Sequence, residues 1–396
     1  MKKKPELLAP AGSFPALVAA VDAGADSIYF GLREFSMRAF AKNFKFSDLP
    51  KINEICKKKN VKIYLTINTI IYDNELKKVD LLIKKVKPFV DAVICWDLSV
   101  IQLCKKHKIP FHISTQASVA NIEAAKFYKK LGAQRIVLAR ELNLSQIKKI
   151  SKIIEVETFI HGAMCLSISG RCLMSQFLFN KSANRGACLH PCRRSYIVKD
   201  KQEGYELEVE NDKIFSAKDL CTLPFIEKLK SVGITAFKIE GRNRDPRYVS
   251  TVVGVYRKAL DKTLTKKEQD KAMKNLYSVY TKGFSSGFYE GLPTSDDFSK
   301  TEHSSSTEKK VFIGKILKFY KKINVATLEL KSDLKQKDKI VVIGKTTGVK
   351  ETIVKTIESK NKPIFFGKKG QEIGIKLPFT ARRNDEVYKI VKRKNP

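Results

Sequence analysis

The sequence predicts an α/β protein: a (β/α)8 TIM-like barrel with a cysteine-bearing insertion after strand seven, followed by a small all-β barrel domain. Three observations point there. Eight short β-rich runs alternate with amphipathic helical stretches between residues 6 and 240. That rhythm breaks once, between the seventh and eighth runs, and five cysteines fall in the break. Beyond residue 308 the pattern changes to short alternating apolar and polar runs separated by turn residues.

The strands are expected at 6–9, 27–31, 61–68, 92–96, 111–115, 135–139, 155–161 and 236–240. Residues 15–25 have helical spacing and stop at Gly24, and 76–86, 122–131 and 144–154 carry apolar residues three and four apart. Eight strands with intervening helices is the count of a (β/α)8 barrel. The alternative, a doubly wound sheet, usually carries a phosphate-binding glycine fingerprint after its first strand. None is present here. Two further helices are expected at 248–260 and 266–280, followed by a glycine-rich turn, KGFSSGFYEG. The stretch SDDFSKTEHSSSTEKK has the composition of a linker. Runs such as VFIGKIL, KIVVIG and EVYKIV then alternate as strands of a small barrel do. The boundaries that follow are a barrel over 1–294 with the insertion at 162–233, a linker over 295–308, and a basic β domain over 309–396.

The basic start MKKK is followed by an apolar stretch that Glu6 and Asp22 break, so it does not read as a secretory signal. No apolar run is long enough to cross a membrane. The chain therefore reads as cytoplasmic, with reduced thiols and no disulfide framework. Its 76 basic and 41 acidic residues give a net charge of +35. Residues 309–396 hold 24 Lys or Arg against 8 Asp or Glu, a net of +16. Either the lysines form a solvated face, or the partner is a polyanion, most simply nucleic acid.

Cys165, Cys172, Cys188, Cys192 and Cys221 are clustered, whereas Cys56, Cys95 and Cys104 are scattered upstream. Zinc sites usually use two close pairs, and here only Cys188 and Cys192 are close. The wider spacing suits an iron–sulfur cluster held from several loops; incidental buried thiols are the other reading. Gly162, Gly170 and Gly186 precede the first three and would let backbone N–H groups approach sulfur. An insertion after strand seven falls on the catalytic face of a barrel. At the expected strand ends stand Asn68, Asp97, Gln116, Arg140, Glu141, His161, Glu240 and Arg242. Polar groups there are candidates for binding or acid–base work, with helix capping and structural ion pairs as the plainer role. Asn68, Gln116, Arg140, His161 and Glu240 are the catalytic candidates, and Arg140 and Arg242 could grip a carboxylate or phosphate. Gly283, Ser285 and Gly287 match a nucleophile-elbow pattern, but without the strand-then-helix setting that it needs. No zinc-protease or Walker motif occurs.

The run from Glu157 through Gly162, Cys165, Gly170 and Cys172 to Ser175 resembles the signature of the collagenase-like peptidase family, long filed under unknown catalytic mechanism. ELLAPAGS, FSMRAFAKNF, STQASVAN and KIEGRNRDPRYV resemble it too, and the likeness covers essentially the whole chain. The family includes proteins described as proteases and oxygen-independent hydroxylases with a four-cysteine iron–sulfur site. The chain is most similar to the branch acting in tRNA uridine hydroxylation. That resemblance implies a tRNA substrate modified at the wobble uridine, a cluster of the 4Fe–4S kind, and prephenate as the hydroxyl source. It implies Cys165, Cys172, Cys188 and Cys221 as ligands, with Cys192 as the spare. The alternative is a peptidase acting on a protein or peptide, for which no nucleophile or base is visible. A non-catalytic RNA-binding protein would account for the charge but not for the cysteines.

Overall fold

The computed structural model describes residues 4–38, 43–168, 171–194, 196, 215–301 and 304–393. Its larger sheet contains β1 (Glu6–Pro10), β2 (Ser27–Gly31), β3 (Lys62–Thr66), β4 (Ala92–Cys95), β5 (Phe111–Ile113), β6 (Arg135–Val137), β7 (Glu155–Gly162), β8 (Asp219–Cys221), β9 (Ala236–Ile239) and β10 (Phe284–Ser285). Strands β1 to β7 pair in order and in parallel, and β9 pairs in parallel with both β1 and β7. The ring is thereby closed by eight strands, each at an expected position. β8 stands outside it, antiparallel to the end of β7, and β10 continues from β8.

The strands are legible because both of their faces are covered, so they read as continuous apolar runs. All five residues of β2 are buried. One face packs on the outer helices, where Leu7, Phe30, Leu65, Ile113 and Phe237 join the main core. The helices start where capping chemistry permits. Phe14–Asp22 opens on Ser13, whose hydroxyl accepts from the Ala16 N–H, with Pro15 in its first turn. The helix expected at 144–154 is Leu144–Ile150, opened by a capping box between Asn143 and Gln146. The other expected helices lie at Leu76–Val86, Ile122–Lys130, Pro246–Asp261 and Lys266–Tyr277.

The inward face is half apolar and half ionic. Leu8, Tyr29, Tyr64, Ala92 and Ile94 form one cluster. Beside it, Arg135 reaches Glu6 at 3.1 Å and Glu157 at 3.5 Å, and Lys238 reaches Glu157 at 2.7 Å. Burial alone would raise the Glu6 pKa, but hydrogen bonding and charge from Arg135 outweigh it and hold it at about 2. His112 lies on the same inner face, its ring 4.7 Å from that of Tyr64.

The C-terminal region is a separate, fully antiparallel eight-stranded sheet with Glu308–Tyr320 near its middle. Ile313, Ile316, Leu328, Ile340, Ile373 and Val387 belong to its core. It rests on the barrel through Arg247, which pairs with Glu351 at 2.6 Å and with Glu308, and through Lys350 and Asp22 at 2.9 Å. The Ser-rich stretch read as a linker is bonded to the barrel where it is described. Ser299 N–H donates to Ser216 O at 2.7 Å, Ser305 N–H to Thr281 O at 2.7 Å, and Thr307 N–H to Tyr277 O at 2.8 Å. Among the described residues, no helix is long and apolar enough to cross a membrane.

Two outcomes follow from the ionic interior. Glu157→Gln leaves Arg135 and Lys238 buried with less compensation. It should cost about 3 kcal/mol or more in denaturant unfolding, and a loss below ~1 kcal/mol would contradict the network. Burial first, and Arg135 second, pull the His112 pKa down from 6.5 to about 4. The charged form is thus disfavoured in the folded state, so this stability is complete above pH 6.5 and is lost as the pH falls toward 4. Between pH 6.5 and 5 its share is about 2 kcal/mol. The stability of the parent should therefore fall more steeply than that of His112→Gln between pH 6.5 and 5, by about 2 kcal/mol over that window, and equal slopes would contradict the shift.

Candidate active site and cysteine loop

At the C-terminal ends of the strands, side chains from seven of them converge, Ile94 of β4 among them. Thr66 and Asn68 come from β3 and its exit, Ser114 and Gln116 follow β5, Arg140 follows β6, and Phe159 lies on β7. Lys238, Glu240 and Arg242 come from β9 and its exit, Tyr29 from β2, and Arg38 from the loop after β2. They enclose a chamber with about 40 Å³ of free space. Five of the sequence candidates therefore meet: Asn68, Gln116, Arg140, Glu240 and Arg242.

The chamber is rich in cations. Arg38 approaches Glu240 at 3.6 Å. Arg242 donates to Ser36 Oγ at 2.6 Å and Thr66 Oγ1 at 2.9 Å. Arg140 donates to Ala163 O at 2.7 Å, and its guanidinium sits 3.8 Å from the Phe159 ring centre. The Nε groups of Arg140 and Arg242 are buried and, among the described residues, have no hydrogen-bond partner. Burial raises the Glu240 pKa, but Arg38, Arg140, Arg242 and Lys238 reverse the sign, so the net direction is down and the carboxylate stays ionised. Lys238 is already committed to Glu157. Three arginines thus face one carboxylate, and two of their N–H groups await an acceptor. The residues present fit an anion of which a carboxylate-sized part enters the chamber.

His161 does not join them. Inward residues of β7 alternate at Glu157 and Phe159, which would also turn His161 inward. The pairing with β9 shifts register between Phe159 and His161, and this bulge sends His161 to the outer side. There it is buried against Tyr248, Tyr256 and Phe284, and burial drives its pKa to about 3. The expectation that His161 faces the mouth beside Glu240 is therefore corrected, although the two are backbone neighbours, with Glu240 N–H donating to His161 O at 2.9 Å. Asp97 caps the helix Leu98–Lys106 through Ser99 N–H, and Glu141 is exposed. Ser285 accepts from Gly287 N–H within its own turn. Arg38 and Lys238 were missed. Lys238 stands two residues from Glu240 on one strand and could have been found by alternation, whereas nothing local marks Arg38.

Gly162, with φ of +106°, turns the chain from β7 into the cysteine loop, and a Cβ there would lie 2.6 Å from Glu240 O. Several contacts hold the loop. Arg193 donates to Met164 O at 2.6 Å and Ala217 O at 2.5 Å, and Cys172 N–H donates to Asn184 Oδ1 at 3.0 Å. Ser175 Oγ accepts from Leu189 N–H and faces Cys188 Sγ at 4.0 Å. Burial raises the Cys192 pKa to about 11, with Arg193 opposing and Cys165, Cys188 and Cys172 adding to the rise. Arg140 and Gln116 line the chamber, and they bond to the loop at Ala163 O and through Arg171, whose guanidinium donates to Gln116 O at 3.0 Å, so this loop lies against the chamber. Cys221 lies elsewhere. It sits on β8 opposite His161, 3% exposed, with its Sγ 3.7 Å from the Tyr256 hydroxyl. Cys221, expected as the fourth ligand with Cys192 as the spare, thus stands on β8, whereas Cys192 lies on the loop with Cys165, Cys172 and Cys188. Four thiols on one loop suit an iron–sulfur cluster or zinc, although no three His, Cys, Asp or Glu side chains among the described residues already stand as a metal site.

The fold is a parallel (β/α)8 barrel whose loop face holds a cation-rich chamber overlaid by a thiol-rich loop. The chain belongs to peptidase family U32, whose model matches residues 12–299. It is 41% identical to an uncharacterized protease of Methanocaldococcus jannaschii over 97% of both chains. It is 39% identical to a collagenase of Porphyromonas gingivalis over 98% of both. With tRNA hydroxylation protein P1 of Bacillus subtilis it shares 34% identity over 86% of this chain and 84% of that one.

The chamber should bind a small dicarboxylate. Malonate at about a hundred times its Kd would stabilise the fold by about 2.7 kcal/mol, seen as a raised thermal midpoint. Arg140→Gln combined with Arg242→Gln should abolish that rise, and an equal rise in the double variant would contradict the assignment.

Proposed function

We propose that this protein is a tRNA-modifying enzyme, an oxygen-independent hydroxylase of the wobble uridine that takes its hydroxyl group from prephenate. The observation that carries this reading is the seam between chamber and cysteine loop: Arg140 of the chamber donates to Ala163 O at 2.7 Å, two residues before Cys165, and Arg171, beside Cys172, donates to Gln116 O at 3.0 Å. Under this reading anion binding and thiol chemistry share one mouth. Prephenate has two carboxylates, and Arg140 and Arg242, each with an unpartnered Nε, would hold one of them. Cys165, Cys172, Cys188 and Cys192 would hold an iron–sulfur cluster, which when bound supplies one-electron chemistry or fixes the loop in shape. Glu240, kept ionised by the arginines, can accept a proton at its carboxylate, and Tyr29 O–H steadies it at 3.3 Å. The name of the Bacillus subtilis relative supports a tRNA substrate, and the net charge of +35 supports a polyanionic one. Under this reading the basic C-terminal sheet docks RNA by phosphate contacts, through exposed lysines such as Lys321, Lys322, Lys368 and Lys369.

Two relatives bear protease names, which favours a peptidase as the second reading. The chain does contain a cysteine and a histidine linked through a tyrosine. Tyr256 Oη stands 3.7 Å from Cys221 Sγ and 3.4 Å from His161 Nδ1. A cysteine nucleophile needs a lowered thiol pKa and a base with access to substrate. Here burial raises Cys221 to about 11, lowers His161 to about 3, and seals both from solvent. The pair is poised against proteolysis.

Two experiments test the proposal. Nucleosides of tRNA from a deletion strain should lack a hydroxylated uridine that the parent contains, and identical profiles would refute the activity. In protein purified without oxygen, Cys172→Ala and Cys192→Ala should each lower bound iron to roughly half or less of the parent's, with Cys221→Ala lowering it less. Full iron in Cys192→Ala would return Cys192 to the role of spare.

A further inference from the structure

Outside the cation chamber lies a second compartment of about 350 Å³, bounded by Met37, Ile70, Trp96, Gln116, Arg171 and Asn184. The two are contiguous, since Met37 and Gln116 border both. Their chemistry is opposite. The inner chamber is ionic, whereas the outer one is chiefly apolar, with an aromatic ring and two amides. Its size falls within the range of small-ligand sites, ~300–1,000 Å³.

We propose that this outer compartment seats a single unpaired uracil base of the RNA substrate. The inference rests on the tRNA reading above and names how that site would recognise its base. Trp96 offers an aromatic surface and is held in place, its Nε1–H donating to Asn68 O at 2.9 Å. The Arg171 guanidinium lies 5.2 Å from its ring centre and is anchored by a 3.0 Å bond to Gln116 O. A flat aromatic group beside an arginine is the surface on which extruded bases stack.

The amides select among bases. Asn184 Oδ1 accepts from Cys172 N–H, so its NH2 group is the end left to a ligand. Gln116 Oε1 accepts from the Ser114 hydroxyl and from Asn68 Nδ2 at 3.5 Å, which likewise leaves its NH2 group. Among the described residues neither NH2 group has another partner. Two donors match uracil, whose O2 and O4 are both acceptors. Cytosine offers an acceptor at O2 but a donor at N4, so one amide would face a donor. Any transfer between acid and base also requires that the two touch. Because the two compartments share Met37 and Gln116, a base against Trp96 would lie next to an acid held by Arg140 and Arg242.

Trp96 is the only tryptophan in the chain, so its emission reports this compartment alone. The full-length protein is titrated with single-stranded RNA heptamers carrying uridine, cytidine or an abasic residue at the centre. The uridine oligomer should quench Trp96. The abasic one should bind about tenfold more weakly, as loss of one stacked base implies, and leave the emission unchanged. The cytidine oligomer should bind several-fold more weakly than the uridine one, and Asn184→Ala should narrow that difference. By anisotropy of labelled RNA, Trp96→Phe should retain binding while Trp96→Ala loses about tenfold. Equal binding of the uridine and abasic oligomers would overturn the proposal. So would quenching by prephenate alone with none by RNA, because the compartment would then belong to the acid. If deletion leaves tRNA nucleosides unchanged while the uridine oligomer still quenches Trp96, the proposed activity falls and the base seat stands. If the hydroxylated nucleoside disappears on deletion but no oligomer affects Trp96, the seat is wrong and the activity stands.

Discussion

The structure depends on a column of buried charge along the barrel axis. Near its floor, Arg135 is shared by Glu6 and Glu157, and Glu157 also holds Lys238. One turn of polar groups higher, Glu240 meets Arg38 with Arg140 and Arg242 nearby. Buried charges persist only when they are paired. At the floor the pairing is complete. At the mouth the arginines outnumber the carboxylate, and among the described residues the Nε groups of Arg140 and Arg242 have no partner. Under the proposed function an added anion would complete the pairing there.

The bulge in β7 divides the cysteine-bearing region into two environments. By turning His161 outward, it forms a dry pocket with Tyr248, Tyr256 and Cys221 behind the barrel wall. By leading through Gly162, it carries Ala163 onto Arg140 of the chamber. The same few residues thus set Cys165, which is exposed, and Cys221, which is buried, in different surroundings. Local geometry, rather than thiol count, separates the hydroxylase reading from the protease reading.

Much of this was legible in the sequence. Parallel strands buried on both faces are contiguous apolar runs, so Ser27–Gly31 and Ala92–Cys95 stand out. Strand ends then pointed to Asn68, Gln116, Arg140, Glu240 and Arg242, because barrel geometry gathers strand ends regardless of their separation in the chain. What failed were features without a local signature. A one-residue bulge leaves the composition unchanged but reverses the face of His161. Nor does spacing show that Cys221 stands on a strand paired with β7 while Cys192 lies on the loop. The serines of 299–306 suggested a solvated linker, yet Ser299, Ser304 and Ser306 are buried and use hydroxyl and backbone groups to bond to the barrel and to one another.

The central claim is that anion chamber and thiol loop act as one centre on RNA. The most direct test is an anaerobic reaction of iron-loaded protein with unmodified tRNA and prephenate, followed by mass spectrometry of the nucleosides. The account predicts one oxygen atom added to a uridine, dependent on prephenate. It also predicts loss of that product in Arg140→Gln protein whose iron content equals the parent's. Unchanged product in that variant, or product without prephenate, would contradict it.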